Sequence, residues 1–177
     1  MPVYKVGLPR APATYSQSGM DTILRSIEVA FNRLQPHVPY GIFYQYEVPT
    51  TIAIAASNTY YLITGNTAGY TNGVSFASNA LTIDPGGKGY YLAIMDASLS
   101  DGGGVTFELS VFVDGVQSTQ LSGDTGTSGA LHTHVGATGI LLLNAGSVVD
   151  LRVKNHTSTS DPEFQHVHLT LVRISEG

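Results

Sequence analysis

The chain has 177 residues, of which 42% are hydrophobic, only 12% are charged and none is cysteine, with a formal net charge of -5. That length holds one domain with an appendage and a sizeable apolar core, not two full domains. The eight Lys and Arg residues are scattered, which excludes the clustered basic surface that a nucleic-acid partner requires, and the missing cysteine excludes disulfides and thiolate metal sites.

Taken in chain order, residues 1 to 19 carry Pro2, Pro9 and Pro12, which deny the segment helix and central-strand character. It reads as an extended arm. Val3, Tyr4, Val6, Leu8 and Tyr15 are residues that a solvated tail normally lacks, so the arm is expected to lie on another subunit. The segment holds no apolar run able to serve as a signal-peptide core. The longest apolar stretches, such as Thr51 to Ala56 and Ile140 to Leu143, are far too short to span a bilayer. A soluble product assembled in a cytoplasm, with no membrane partner, is therefore expected.

Residues 20 to 35 give the one helical pattern. Met20, Ile23, Ile27, Ala30 and Leu34 recur at 3,4,3,4 spacing, one continuous stripe on a helix of about 3.6 residues per turn. Ser18 precedes it as a cap and Pro36 stops it. Isoleucine at both seam positions favours trimers in parallel coiled coils. Two heptads are too few to hold three chains, so Ile23, Ile27 and Leu34 are expected to assist a trimer made elsewhere; docking on the chain's own body is the alternative. Residues 36 to 39, with Pro36 and Pro39, form a linker.

From Tyr40 to Gly177 the period changes to two. Val105, Phe107, Leu109, Val111 and Val113 alternate with Thr106, Glu108, Ser110 and Phe112, the pattern of a strand with one face in a core. Asp114-Gly115 supplies a tight turn into Val116 to Gln120. Val149, Leu151 and Val153, and then Val167, Leu169 and Leu171, repeat the alternation. Turn signals at Asp84 to Gly87 and Asp101 to Gly104 separate eight to ten expected strands. No second helical pattern interrupts them, so an antiparallel sandwich is expected rather than a parallel α/β sheet.

Several short motifs invite a chemical reading. Asp124-Thr-Gly-Thr-Ser matches an aspartic-protease loop, where two carboxylates share a proton, but it occurs once and in a Gly/Ser-rich stretch. Gly86-Gly-Lys-Gly lacks the spaced glycines and the Ser or Thr of a phosphate loop. His132-Thr-His134 and His166-Val-His168 place imidazoles two apart, on one side of a strand. No carboxylate lies in those short segments, so no metal site is expected. Asn155-His-Thr157 matches a glycosylation acceptor. No paired-carboxylate or nucleophile signature can be assembled into a catalytic site, and neither enzymatic activity nor a cofactor is expected.

The run Glu47 to Asn66, then Ala80 to Ala93, Phe107 to Gly115, Leu142 to Asn155 and His168 to Ile174 together resemble the TNF/C1q-like jelly rolls of phage virion proteins. The likeness covers about residues 40 to 174, with Gly146-Ser147 where relatives often have Gly-Asp. It implies an all-β antiparallel jelly-roll sandwich preceded by the extended arm and one α-helix. It also implies a tight homotrimer, with His166, His168, Val172 and Ile174 of the last strand turned to the threefold axis beside Ile23, Ile27 and Leu34. The expected function is a bacteriophage capsid decoration or cement protein in the virion, whose arm clamps neighbouring capsid subunits. The alternative is a tail-fibre or receptor-binding tip, in which loops Gly65 to Gly73 and Ser122 to Gly129, with Tyr60, Tyr61 and Tyr70, recognise a host glycan or protein. A secreted C1q-like module is the third reading.

Overall fold

An alternating strand buries one side only, so a chain of such strands reaches a closed core by stacking two sheets about 10 Å apart. The computed structural model describes residues 38 to 177, except 102, 129 and 130, together with Arg25, which is helical and exposed. The expected arm with Val3, Tyr4, Val6, Leu8 and Tyr15, and the helix positions Ile23, Ile27 and Leu34, lie outside the described residues.

Eleven strands follow in the described residues: β1 (Tyr40–Thr51), β2 (Tyr60–Leu62), β3 (Thr67–Asn72), β4 (Val74–Ala77), β5 (Ala80–Ile83), β6 (Gly89–Ser100), β7 (Thr106–Val113), β8 (Val116–Gly126), β9 (Thr133–Leu143), β10 (Val148–Asn155) and β11 (Glu163–Glu176). One sheet has the order β3-β1-β11-β6-β9; the other has the order β4-β5-β10-β7-β8, with β2 also on β10. The pairings between these strands are antiparallel. Sequence neighbours repeatedly fall in different sheets, as β5 and β6 or β9 and β10 do, so most of the pairing is long-range.

The core lies between the sheets. Phe43, Tyr91, Met95, Leu99, Val167, Leu169 and Leu171 fill it from the first sheet, and Phe107, Leu109, Val111, Val149, Leu151 and Val153 from the second. Each set is the alternate-residue set of its strand, as the period of two requires. Both sheets approach closely enough that a Cβ on Gly41 would sit 2.5 Å from Val74 Cγ1.

The turns are built by the residues that signalled them. Asp114 and Gly115 both have positive φ, 52° and 79°, the type I′ geometry that matches strand twist. Asp114 also reaches the next turn: its Oδ1 accepts from Val148 N at 2.8 Å and its Oδ2 from Ser147 Oγ at 3.1 Å. The serine of Gly146-Ser147 thereby ties the β9–β10 turn to the β7–β8 hairpin.

Two segments expected as recognition loops are strands. Within residues 65 to 73, β3 pairs with β1 at the edge of its sheet, and β8 continues through Ser122 to Gly126 against β7. Both are rich in Gly, Ser and Thr, whose small side chains write no apolar alternation, so backbone pairing carries them where the pattern is silent.

Candidate assembly face

Each sheet has one face in the core, and what covers the other face differs between them. On the second sheet the outward residues of β7 and β10 are Glu108, Ser110, Phe112, Asp150, Arg152 and Lys154. Ser110, Phe112 and Asp150 are buried, although the alternation marks them as facing water. Long side chains lying flat account for this. The Arg152 guanidinium carbon stands 4.3 Å from the Phe112 ring centre, and the Lys154 ammonium 4.6 Å from that of Tyr60. Tyr60 meets Phe112 edge-on at 4.9 Å. Arg152 grips Asp150 through two bonds of 2.8 and 3.0 Å, which raises the guanidinium pKa against the opposing effect of burial.

Glu108 is the hub of that cover. Its Oε1 accepts from Tyr60 at 2.6 Å and from Gln117 at 3.0 Å, and its Oε2 lies 2.7 Å from Lys154 Nζ and 3.2 Å from His156 Nε2. His156 Nε2 is also 3.3 Å from Asp124 Oδ1. Glu108, Asp124 and His156 form a compact group of potential metal-ligand atoms, but the Lys154 ammonium already supplies a cation to Glu108, so this is a closed structural network. Asp124, the residue of the protease-like motif, belongs to this network on β8. Burial pushes the Glu108 carboxyl up, yet the bonds from Lys154 and Tyr60 and the charges of Lys154 and His156 outweigh it and hold the pKa below the ordinary 4.5. Burial first, then Glu108, raises the Tyr60 hydroxyl.

A carboxylate with a depressed folded pKa stabilises the fold above its unfolded value, and that contribution is lost as pH falls through the folded value. Urea midpoints of Glu108→Gln are therefore expected to be lower than those of the parent at neutral pH. They should also fall less steeply between about pH 5 and 3. Parallel acid limbs would remove Glu108 from this role.

Among the described residues, the outer face of the first sheet has no such cover. Tyr40, Tyr44 and Tyr46 of β1, Tyr90 and Ile94 of β6, Ile140 and Leu142 of β9 and Ile174 of β11 are all exposed large apolar or aromatic side chains. Partly buried Ile42, Leu92 and Val172 stand among them. Register fixes the rows across this face: Thr138, Ile94, Thr170 and Ile42 are opposite one another on successive strands, and Ile140, Leu92, Val172 and Tyr40 form the next row. A shallow groove of about 430 Å³ opens at the β3 side, lined by Ile42, Tyr44, Ala68, Gly69, Tyr70 and His168.

The four sequence-predicted residues of the last strand all stand on this side. His166 packs on Tyr46 with ring centres 5.0 Å apart, and His168 Nε2 is 3.0 Å from Thr170 Oγ1. Val172 is half-buried and Ile174 is 52% exposed in the single chain. Sequence reading missed the contribution of β1, β6 and β9, because Tyr44, Ile94, Ile140 and Leu142 look like ordinary strand residues until the sheet order sets them side by side. Of the aromatic candidates for recognition, Tyr60 is held by Glu108, and the Tyr61 hydroxyl accepts from Ala56 N at 2.8 Å. Tyr70 is 83% exposed. Asn155 of the glycosylation-like triplet is fully buried, its amide bonding Ser158 and Ser160 and its oxygen accepting from Thr157 and Ser158, so it organises a loop.

No protein-family model matches the chain, and no curated protein matches it in sequence. Solved structures do match in fold. Eiger TNF from S. frugiperda aligns with a TM-score of 0.59 at 11% identity, over 79% of this chain and 94% of that one. Murine APRIL aligns at TM-scores of 0.52 in its pH 5.0 structure and 0.51 in its pH 8.0 structure, at 11% and 12% identity, over 76% of this chain and 99% of APRIL in each case. Val38–Gly177 is a compact unit with a TNF-like jelly-roll fold, as the resemblance of the five segments implied.

Proposed function

We propose that the chain is a non-enzymatic structural protein of a bacteriophage particle, a homotrimeric jelly-roll knob that decorates the capsid. The carrying observation is the contrast between the two outer faces. One is finished by its own charged side chains; the other leaves tyrosine, isoleucine and leucine in water over five adjacent strands, a patch of the kind that marks an interface. Five strands at about 4.8 Å spacing and about ten residues at 3.3 Å give a footprint on the order of 800 Å². That matches what one partner contributes to a stable interface, about 800 Å². A second and third copy of this chain are the occupants that the TNF/C1q-like resemblance implies. The apolar arm, with Val3, Tyr4, Val6, Leu8 and Tyr15, then supplies the hold on neighbouring capsid subunits, and the low share of charged residues suits a chain covered by partners.

The exposed Tyr70 beside the groove favours a second reading, a tail-fibre or receptor-binding tip using aromatic stacking on a host surface glycan. Removal of residues 1 to 19 separates the two. A decoration protein should remain trimeric but lose binding to purified capsids, by at least about tenfold if the arm carries as little as 1.4 kcal/mol. A tip should keep its binding to host cells. A truncated chain that still binds capsids with parental affinity overturns the arm's role.

A further inference from the structure

The unfinished face is not uniform along its strands. Its middle and one end are apolar, while the other end gathers three histidines and two carboxylates. In one row His134 of β9 is opposite Ser98 of β6, which is opposite His166 of β11, which is opposite Tyr46 of β1. In the adjacent row Asp96 is opposite His168, which is opposite Tyr44. On the far side of the histidine row Glu163 is opposite Ser100. Residues two apart on a strand share a face, so Ser98, Ser100 and Asp96 stand together, and with them the three imidazoles and both acids. The other titratable groups at this end include Tyr44, Tyr46 and Glu47 of β1, Tyr70 of β3, and His132, two positions before His134.

What is missing there, among the described residues of this sheet, is a permanent cation. The strands β1, β3, β6, β9 and β11 contain no Lys and one Arg, Arg173. Arg173 lies at the opposite end, where it donates to the carbonyls of Gly86 and Lys88. Carboxylates taken out of water need an opposite charge close by. For Asp96 and Glu163 the only side chains of these strands able to provide one at that end are imidazoles, whose charge changes between pH 5 and 8.

Resting on the trimer reading, we infer that assembly through this face takes up protons onto His134, His166 and His168, so that the trimer tightens as pH falls from 8 to 6. An imidazole that gains a buried carboxylate on assembly binds its proton more tightly there than in the free subunit. Its contribution to assembly is then complete at the acid end of that window and lost as pH rises. With one proton taken up per subunit, the protomer concentration at half-dissociation should be lower at pH 6 than at pH 8 by about tenfold or more.

Sedimentation equilibrium of the full chain at pH 6, 7 and 8, at constant ionic strength, reads this directly. If dissociation lies below the detectable range, exchange between two dye-labelled pools replaces it and should be slower at pH 6. Asp96→Asn and the double variant His166→Gln, His168→Gln should each flatten the pH dependence, with circular dichroism verifying that the sandwich persists. A trimer whose midpoint and exchange rate are the same at pH 6 and 8, or weaker at pH 6, overturns the inference and leaves the trimer standing. A folded monomer at all three pH values overturns the trimer reading as well.

Discussion

Ile94→Asp is expected to convert the assembled protein into a folded monomer. Ile94 stands on β6, between β11 and β9, in the row with Thr138, Thr170 and Ile42, and is 36% exposed in the single chain. Its outward position means that the carboxylate remains in water while the subunit is alone, so the fold loses about 1 kcal/mol of strand preference at most. In an assembly the same carboxylate must leave water two positions from the like-charged Asp96 and with no Lys or Arg of the neighbouring strands beside it, a penalty of several kcal/mol, repeated once per subunit. That is enough to shift the midpoint of association by more than a hundredfold, since each 1.4 kcal/mol is a factor of about ten. Val116→Asp is the matched control: Val116 is 70% exposed but sits after the Asp114-Gly115 turn on the other sheet. Sedimentation velocity should find Val116→Asp unchanged and Ile94→Asp as a single subunit. An Ile94→Asp protein that sediments like its parent would remove this face from the interface.

The pairing of these two residues also illustrates what the sequence discloses. Ile94 lies in the apolar run Tyr90 to Met95 and Val116 stands alone between Gly115 and Gln117, and neither setting tells whether an outward apolar residue belongs to a continuous face or is incidental. Strand identity was legible wherever bulky residues alternate: β7, β10 and the core side of β11 follow directly from Phe107-Leu109-Val111, Val149-Leu151-Val153 and Val167-Leu169-Leu171. The hairpin at Asp114-Gly115 was legible because only a few residue types accept positive φ twice in succession. β3 and the second half of β8 were not, because glycine, serine and threonine do not display a period of two. The exposed apolar face was legible only along β11, where His166, His168, Val172 and Ile174 follow one another in sequence. Its other strands come from distant stretches, and the order β3-β1-β11-β6-β9 is a product of long-range pairing. The closed network on the opposite sheet was equally hidden: Tyr60, Glu108, Gln117, Lys154 and His156 span nearly a hundred positions.

That network leads to a contrast between two phenylalanines of the same strand. Phe107 points into the core and is fully buried, whereas Phe112 is on the outward side and still only 6% exposed, roofed by Arg152 and Tyr60. Phe107→Ala opens a cavity among fixed neighbours from both sheets, with a loss of about 3–5 kcal/mol and a fall in the melting temperature of about 10 °C or more. In Phe112→Ala the Arg152 and Tyr60 side chains can settle into the vacated space, and water can enter from the open side. The loss should be smaller, because what disappears is one cation–π contact and one edge-on contact, each worth about 1 kcal/mol, together with burial that the settling side chains in part restore. Urea unfolding of the two variants, carried out at one fixed protomer concentration because assembly adds to apparent stability, checks the ordering. Equal losses would mean that the roof over Phe112 is as rigid as the core, and that the outer face of this sheet is covered by packing rather than by mobile charged side chains.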